Sequence, residues 1–124
     1  MAGLSDYAEP KILDVLFNNT AFGAVANVYC KLHIGDPGDA GTLNAAGNTT
    51  RQEVTFSAAS AGTITNDAAV TWTNVSTAED YTHFSLWDNA TVGNCLFTGT
   101  ITANAVAVGD TFTIAIGDLD LTID

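Results

Sequence analysis

The stretch Val28-Tyr29-Cys30-Lys31-Leu32-His33-Ile34, followed directly by Gly35-Asp36-Pro37-Gly38-Asp39-Ala40-Gly41, decides the fold class. In its first half, the apolar residues Val28, Cys30, Leu32 and Ile34 alternate with Tyr29, Lys31 and His33. This is the period-two pattern of a half-buried β-strand. Its second half is rich in glycine, aspartate and proline, which favour turns. The stretch therefore predicts a strand, then a turn that opens a polar loop running to about residue 50.

Six further segments downstream have the composition of short strands. They are rich in Thr, Val and Ile, recur at intervals of roughly 8–12 residues, and are separated by Gly, Asn and Asp. They are Arg51–Ser57, Ala69–Thr73, Tyr81–Trp87, Cys95–Thr102, Thr111–Ile116 and Leu119–Ile123. We expect a single, mainly β domain over residues 1–124, an antiparallel β-sandwich of jelly-roll or Ig-like type with strands from about residue 25 to 123.

Upstream of these strands, the segment from Leu4 to Phe17 is predicted to form one N-terminal α-helix. Ser5 can cap it, while Pro10 requires the helix either to kink or to begin near that residue. Apolar residues recur at helical spacing and form one stripe. The stripe consists of Ile12, Leu13, Leu16 and Phe17. We expect the stripe to close the sandwich, because a core needs the apolar area; docking on a neighbouring protein is the alternative.

The charge of the chain excludes several classes of partner. The 124 residues include 3 Lys+Arg and 14 Asp+Glu, giving a net charge of −11. Nucleic-acid backbones and anionic lipid surfaces both require clustered cations, so neither is an expected partner. No run reaches the ~18 apolar residues of a membrane span, and the N-terminus lacks the features of a signal peptide. With 47% hydrophobic and only 14% charged residues, the composition is that of a folded protein.

A search for catalytic and metal-binding patterns predicts neither an enzyme nor a cofactor. His33 and His83 lack the paired spacing of metal-binding histidines, and no nucleophile or phosphate-binding motif occurs. The acidic tail alternates with apolar residues, which favours the solvated face of a terminal strand over a calcium site. Its polar members are Asp118, Asp120, Thr122 and Asp124.

Two sets of residues allow alternative interpretations. The cluster around Phe84 and Trp72 is predicted to pack in the core, but Tyr81, His83 and Trp87 would form an exposed subunit contact if they shared the outward face. Cys30 and Cys95 are expected to be buried thiols. An intramolecular disulfide, or an intermolecular one with another copy, remains possible on the sequence alone.

Several segments resemble a family of small tailed-bacteriophage virion proteins, described as tail-fibre-like or capsid-decorating. The resemblance extends from Leu4 to Asp124. Its segments are Gly3–Tyr7, Val28–Gly41, Arg51–Ser60, Thr82–Asp88 and Gly109–Leu119. It implies a noncatalytic β-rich module that assembles on a virus particle; it transfers no site residues, and the two cysteines lie outside its pattern.

From the resemblance and the missing catalytic motifs we predict a structural component of the virion, assembled in the bacterial host cytoplasm. The predicted role is a capsid decoration (cement) protein, a homotrimer that contacts other virion proteins such as the major capsid protein. A neck or tail-fibre component is the alternative within the same class. A lectin-like binding module is the alternative from another class, and it requires Trp72 or Trp87 to lie exposed in a groove.

Overall fold

The computed structural model describes residues 3–123, so Met1, Ala2 and Asp124 of the predicted domain and acidic tail lie outside the described residues. Nine strands and one helix follow in chain order. They are β1 (Gly3–Leu4), α1 (Ala8–Phe17), β2 (Val28–His33), β3 (Gln52–Val54), β4 (Thr63–Thr65), β5 (Val70–Trp72), β6 (Glu79–Trp87), β7 (Cys95–Val106), β8 (Phe112–Ile114) and β9 (Asp120–Thr122). The prediction of a mainly β, antiparallel fold with one N-terminal helix is confirmed.

The five-stranded main sheet has the order β1-β7-β6-β2-β3, with every neighbouring pair antiparallel. The stretch that decides the fold class supplies strand β2, which lies between β6 and β3 and whose Cys30 and Leu32 point into the core. The registers Cys30↔Leu86 and Leu86↔Phe97 continue this apolar row across three strands. The period-two pattern therefore predicted correctly which residues of β2 face the core.

The second layer consists of two short ladders, β4 with β9 and β5 with β8. Asn66 joins them from a fully buried position. Its amide nitrogen donates to the carbonyls of Ala68 and Ala115, and its side-chain oxygen accepts the N–H groups of Gly117 and Leu119. Strand β4 was not predicted, because the small residues from 57 to 69 carry little hydrophobic pattern.

The core lies between the main sheet and the β5–β8 ladder. Trp72 and Tyr81 both pack on Phe112, with ring centroids 5.8 and 5.0 Å away. Trp72 also donates its indole N–H to the carbonyl of Thr50 at 2.8 Å. These aromatic residues are buried, as the predicted core packing required.

The helix is shorter than predicted, beginning at Ala8 and not at Leu4. Leu4 instead pairs with Phe97 as part of β1. The buried Ser5 ends this strand: its hydroxyl donates to the carbonyl of Cys95 and accepts the N–H of Ala8, so it stabilises the start of the helix as expected. Pro10 falls in the first turn, where its missing N–H costs no helical hydrogen bond.

Candidate interaction surface

A large apolar groove lies between the two layers at the end of the sandwich next to α1. Its volume is about 430 Å³, and the helix, the following loop and both layers contribute to it. Its lining includes Leu4, Ala8, Ile12, Phe22, Val25, Leu86, Phe97, Ile64, Leu121 and Ile123. No residue that lines the groove carries a charge, although the protein is strongly acidic.

The helix leaves most of its apolar stripe in solvent. Leu13, Leu16 and Phe17 are 56%, 66% and 77% exposed, and only Ile12 is half-buried against the groove. The expectation that the stripe closes the sandwich is therefore wrong for these three residues, which we call the helix face.

The reason is the way in which the helix is attached. Ala8, at its first turn, is its one buried residue, and the helix has few contacts with β7. Ser5 and Leu4 hold the segment before the helix to the main sheet, so the first turn is fixed while the last turn projects outward. The apolar groove and the helix face adjoin through Ile12, and together they form the open end of the molecule.

Of the three residues of the possible aromatic contact, Tyr81, His83 and Trp87, only His83 is partly exposed. Tyr81 is fully buried in the core and Trp87 is 8% exposed, so the hypothesis that Tyr81, His83 and Trp87 share an exposed face is wrong for the protomer. For Tyr81 the cause is a β-bulge between it and His83, which shifts the side-chain alternation by one residue. Trp87 lies on the face opposite the core but is covered by other residues, which are described below. Trp72 is buried as well, so the exposed tryptophan that the lectin-like alternative requires is not found.

On the face of the main sheet opposite the core, His33, Ser85 and Trp87 form a buried hydrogen-bonded chain. The Nδ1 atom of His33 lies 2.8 Å from the carbonyl oxygen of Leu43, which can only accept, so Nδ1 carries the hydrogen. The Nε2 atom then accepts from the Ser85 hydroxyl at 2.7 Å, and Ser85 accepts the indole N–H of Trp87 at 2.7 Å. Every polar atom in this chain is satisfied.

This pairing of serine and histidine has the spacing of a nucleophile with its base, but His33 and Ser85 are fully buried. A substrate could not reach Ser85, so the pair is structural. Burial lowers the pKa of His33 below its ordinary value; the Leu43 carbonyl opposes this and the Lys31 ammonium adds to it. His33 therefore faces neither solvent nor a partner in the protomer.

Both cysteines are free and buried, in agreement with the expectation of buried thiols. Cys30 lies on β2 and Cys95 on β7, with β6 between them. Strands two places apart are roughly 9–10 Å from each other, beyond the ~7 Å limit for a disulfide. Burial raises the pKa of Cys95 to about 11 and also raises that of Cys30, which disfavours the reactive thiolate.

A loop packs tightly over Cys95 and Trp87 and shields them from solvent. Gly41 adopts φ +70°, and a Cβ at this position would lie 2.6 Å from the Cys95 sulfur and 3.2 Å from the Trp87 ring. The Trp87 ring is also covered by Arg51, whose guanidinium carbon lies 4.0 Å from the ring centroid. This face is therefore closed, in contrast to the open end.

Sequence patterning did not identify the groove walls Phe22 and Val25. They lie in an irregular segment between α1 and β2, where no period predicts which side chains face inward. The available signal was the presence of two large apolar residues in a linker otherwise made of small and polar residues. Within residues 3–123 no group of acidic, histidine and cysteine side chains is arranged to hold a metal ion, and no described helix has the length and apolar character needed to cross a bilayer.

Comparison with protein families gives one finding. The model of a family described as Podophage GP4 fiber I protein gp80 matches residues 3–122. That range includes the helix, all the strands described above and the lining of the apolar groove apart from Ile123. No curated protein sequence matches the chain.

Proposed function

The chain belongs to the family of the podophage GP4 fiber I protein gp80, and we propose that it is a noncatalytic building block joined to its neighbours through its open end. As a member of a phage fibre family it is a virion component, which confirms the predicted localisation and class. A building block needs an exposed surface that fits another protein, and it needs no reactive pocket.

The observation that carries the proposal is the exposed apolar surface at the open end. With ~150–250 Å² for a large side chain, the helix face alone shows roughly 400 Å² of apolar surface. Each partner in a standard interface contributes ~800 Å², so the helix face supplies about half of one and the apolar groove supplies further area. Such a patch is as large as the largest that monomeric proteins usually expose.

The charge distribution supports contacts between copies through this surface. A net charge of −11 makes two copies repel each other, and the repulsion is weakest where neither surface carries charge. The groove lining is free of charged residues and is therefore the most favourable place for a second copy to bind. We propose a homotrimer, in which the helix face of one copy contacts the apolar groove of the next and three such head-to-tail contacts close a ring.

The description of the matched family supports a proposal for the position on the particle. We propose that the oligomer belongs to a fibre at the neck or tail, because the matched family is described as a fibre protein. The sequence-based hypothesis of a capsid decoration protein bound to the major capsid protein uses the same surface and differs only in location.

Cryo-electron microscopy of the virion, with this fold fitted into the density, tests the proposal. Density for the protein in an appendage of the neck or tail would support the fibre role. Density repeated over the shell lattice would support capsid decoration in its place. Purified particles that lack the protein, or turnover of a substrate by the isolated chain, would contradict the proposed function.

A further inference from the structure

A second surface, away from the open end, is the unpaired edge of β7. This strand pairs with β6 from Cys95 to Val106, but on its other side it pairs with β1 only at Phe97 and Thr98. Among the described residues no strand covers the segment 101–106, which we call the free edge. Its residues 102–105 are exposed.

The free edge has little protection against strand pairing. Natural sheets guard their edges with charged residues, prolines, very short strands or β-bulges. Of these the free edge has one, a register shift against β6 between Thr100 and Asn104. The sequence from Thr98 to Val108 contains no charge and no proline, and β7 is the longest strand of the protein's described part, with 12 residues. A row of backbone donors and acceptors about 20 Å long is therefore left available to another chain.

Space for an additional strand lies directly beside this edge. A cleft of about 420 Å³ separates residues 101–104 of β7 from β8 and the β8–β9 turn. Strand β8 pairs with β5 on one side, and within residues 3–123 no strand pairs with it on the side of the cleft. An extended segment in the cleft would continue the main sheet and lie against the second layer.

The charges around the cleft select among the chains that could occupy it. Asp118 and Asp120 line it, and Asp80 lies opposite Ala105 on the neighbouring strand. The three cations of the protein lie elsewhere, on α1, on β2 and just before β3, so none balances these carboxylates at the cleft. A second acidic copy would be repelled here, whereas a basic segment would be attracted.

We propose that the free edge of β7 binds an extended, lysine- or arginine-bearing segment of a different protein as an added strand. Backbone hydrogen bonds to β7 supply the binding, and the carboxylates at the rim select a basic partner. The proposed contact uses other residues than the self-association through the open end, so either can fail without the other.

Amide chemical shifts of the full chain, measured during titration with a designed peptide, test the proposal. The probe is a capped eight-residue peptide of alternating valine and threonine with two lysines. Its control has the same sequence with every backbone amide N-methylated, so that neither edge of the peptide can donate to the strand edge. We expect shifts confined to residues 101–106 and 112–114, and at least tenfold weaker binding of the methylated peptide.

A charge-matched pair of double variants tests the selection of a basic partner. Asp118→Asn with Asp120→Asn should weaken binding of the lysine peptide several-fold and reduce its dependence on salt. Glu9→Gln with Glu53→Gln removes the same charge from exposed sites away from the cleft, and should leave binding unchanged. All four substitutions are at exposed positions, so folding should be retained.

Three results would overturn the proposal. One is equal binding of the methylated peptide, and another is a set of shifts located at the apolar groove or nowhere. The third is a change in the shifts of residues 101–106 with protein concentration alone, because it would show that a second copy occupies the free edge.

Discussion

The two ends of the sandwich are built on the same main sheet from the same kinds of side chain, yet one is closed and the other is open. At the closed end, Trp72, Tyr81 and Phe112 pack together under the β5–β8 ladder and are almost completely buried. At the open end, Ile12 and Phe97 border an unfilled groove. Apolar composition alone does not separate a core from an interaction surface; the presence of a covering element does.

At the open end, the element next to the groove is helix α1, which is too short to cover it and directs most of its apolar side chains to solvent. Helix α1 has ten residues, is fixed at its first turn and exposes Leu16 and Phe17 at its last. The same residues that would complete a core if they turned inward are thus displayed to solvent. We infer that the closed end specifies the fold and the open end specifies the contact with neighbours.

The largest expected effect is at the closed end. Trp72→Ala removes a buried aromatic side chain and its hydrogen bond to Thr50, so it should lower the free energy of unfolding by about 3–5 kcal/mol. Phe22→Ala, at the half-buried wall of the groove, should cost much less, because little packing is lost. Urea denaturation of both variants measures the difference. Equal losses would break the distinction between the ends.

A smaller effect is expected on the far face of the main sheet. Ser85→Ala removes the partner of both the Trp87 indole and the His33 ring, leaving two buried polar groups unsatisfied. The free energy of unfolding should fall by about 1–3 kcal/mol. Thr71→Ala, whose side chain is exposed on β5, is the control and should change it little. A neutral Ser85→Ala would show that the chain of hydrogen bonds does not hold this face closed.

The dependence of stability on pH should be smaller again and is assigned to His33. Its folded-state pKa lies below its ordinary value of about 6.5, so the unfolded chain binds the proton more readily. Stability should therefore be greatest above pH 6.5 and should decrease as the pH falls from there towards the lowered pKa. Denaturation between pH 7.5 and 5.5 measures this slope.

Variants of the two histidines provide the control for that slope. His33→Gln should be less stable at every pH but should lose most of the slope, whereas His83→Gln should retain it. A slope that survives in His33→Gln would contradict the assignment.

The sequence predicted what depends on local patterning and missed what depends on long-range contacts. Alternation placed Cys30 and Leu32 in the core, and glycine-rich turns placed most strand ends to within a few residues. The β-bulge beside Tyr81 was not visible in the sequence, so the alternative in which Tyr81 shares an exposed face with His83 and Trp87 could not be rejected without the structure.

The candidate site was predicted only in part, for a similar reason. Helical spacing identified Leu13, Leu16 and Phe17 as one stripe, but it carries no information on whether a sheet lies opposite. The attachment of Ser5 to Cys95, 90 residues away, fixes the angle of the helix, and no local pattern encodes that contact. The free edge of β7 was invisible as well, since pairing partners are a property of the assembled sheet.

The helix face should contribute little to the stability of the protomer and much to its association. Leu16→Ser with Phe17→Ser changes side chains that are mostly in solvent, so the free energy of unfolding of the protomer should change by less than about 0.5 kcal/mol per substitution. Val92→Ser, at an 84% exposed valine outside the open end, is the matched control.

The solution mass of the purified protein, measured by light scattering for the wild type and these variants, tests the central claim most directly. We predict a trimer for the wild type and for Val92→Ser, and a folded monomer for the Leu16→Ser, Phe17→Ser double variant. A wild-type protein that stays monomeric at its highest soluble concentration, or a double variant with the mass of the trimer, would contradict the account.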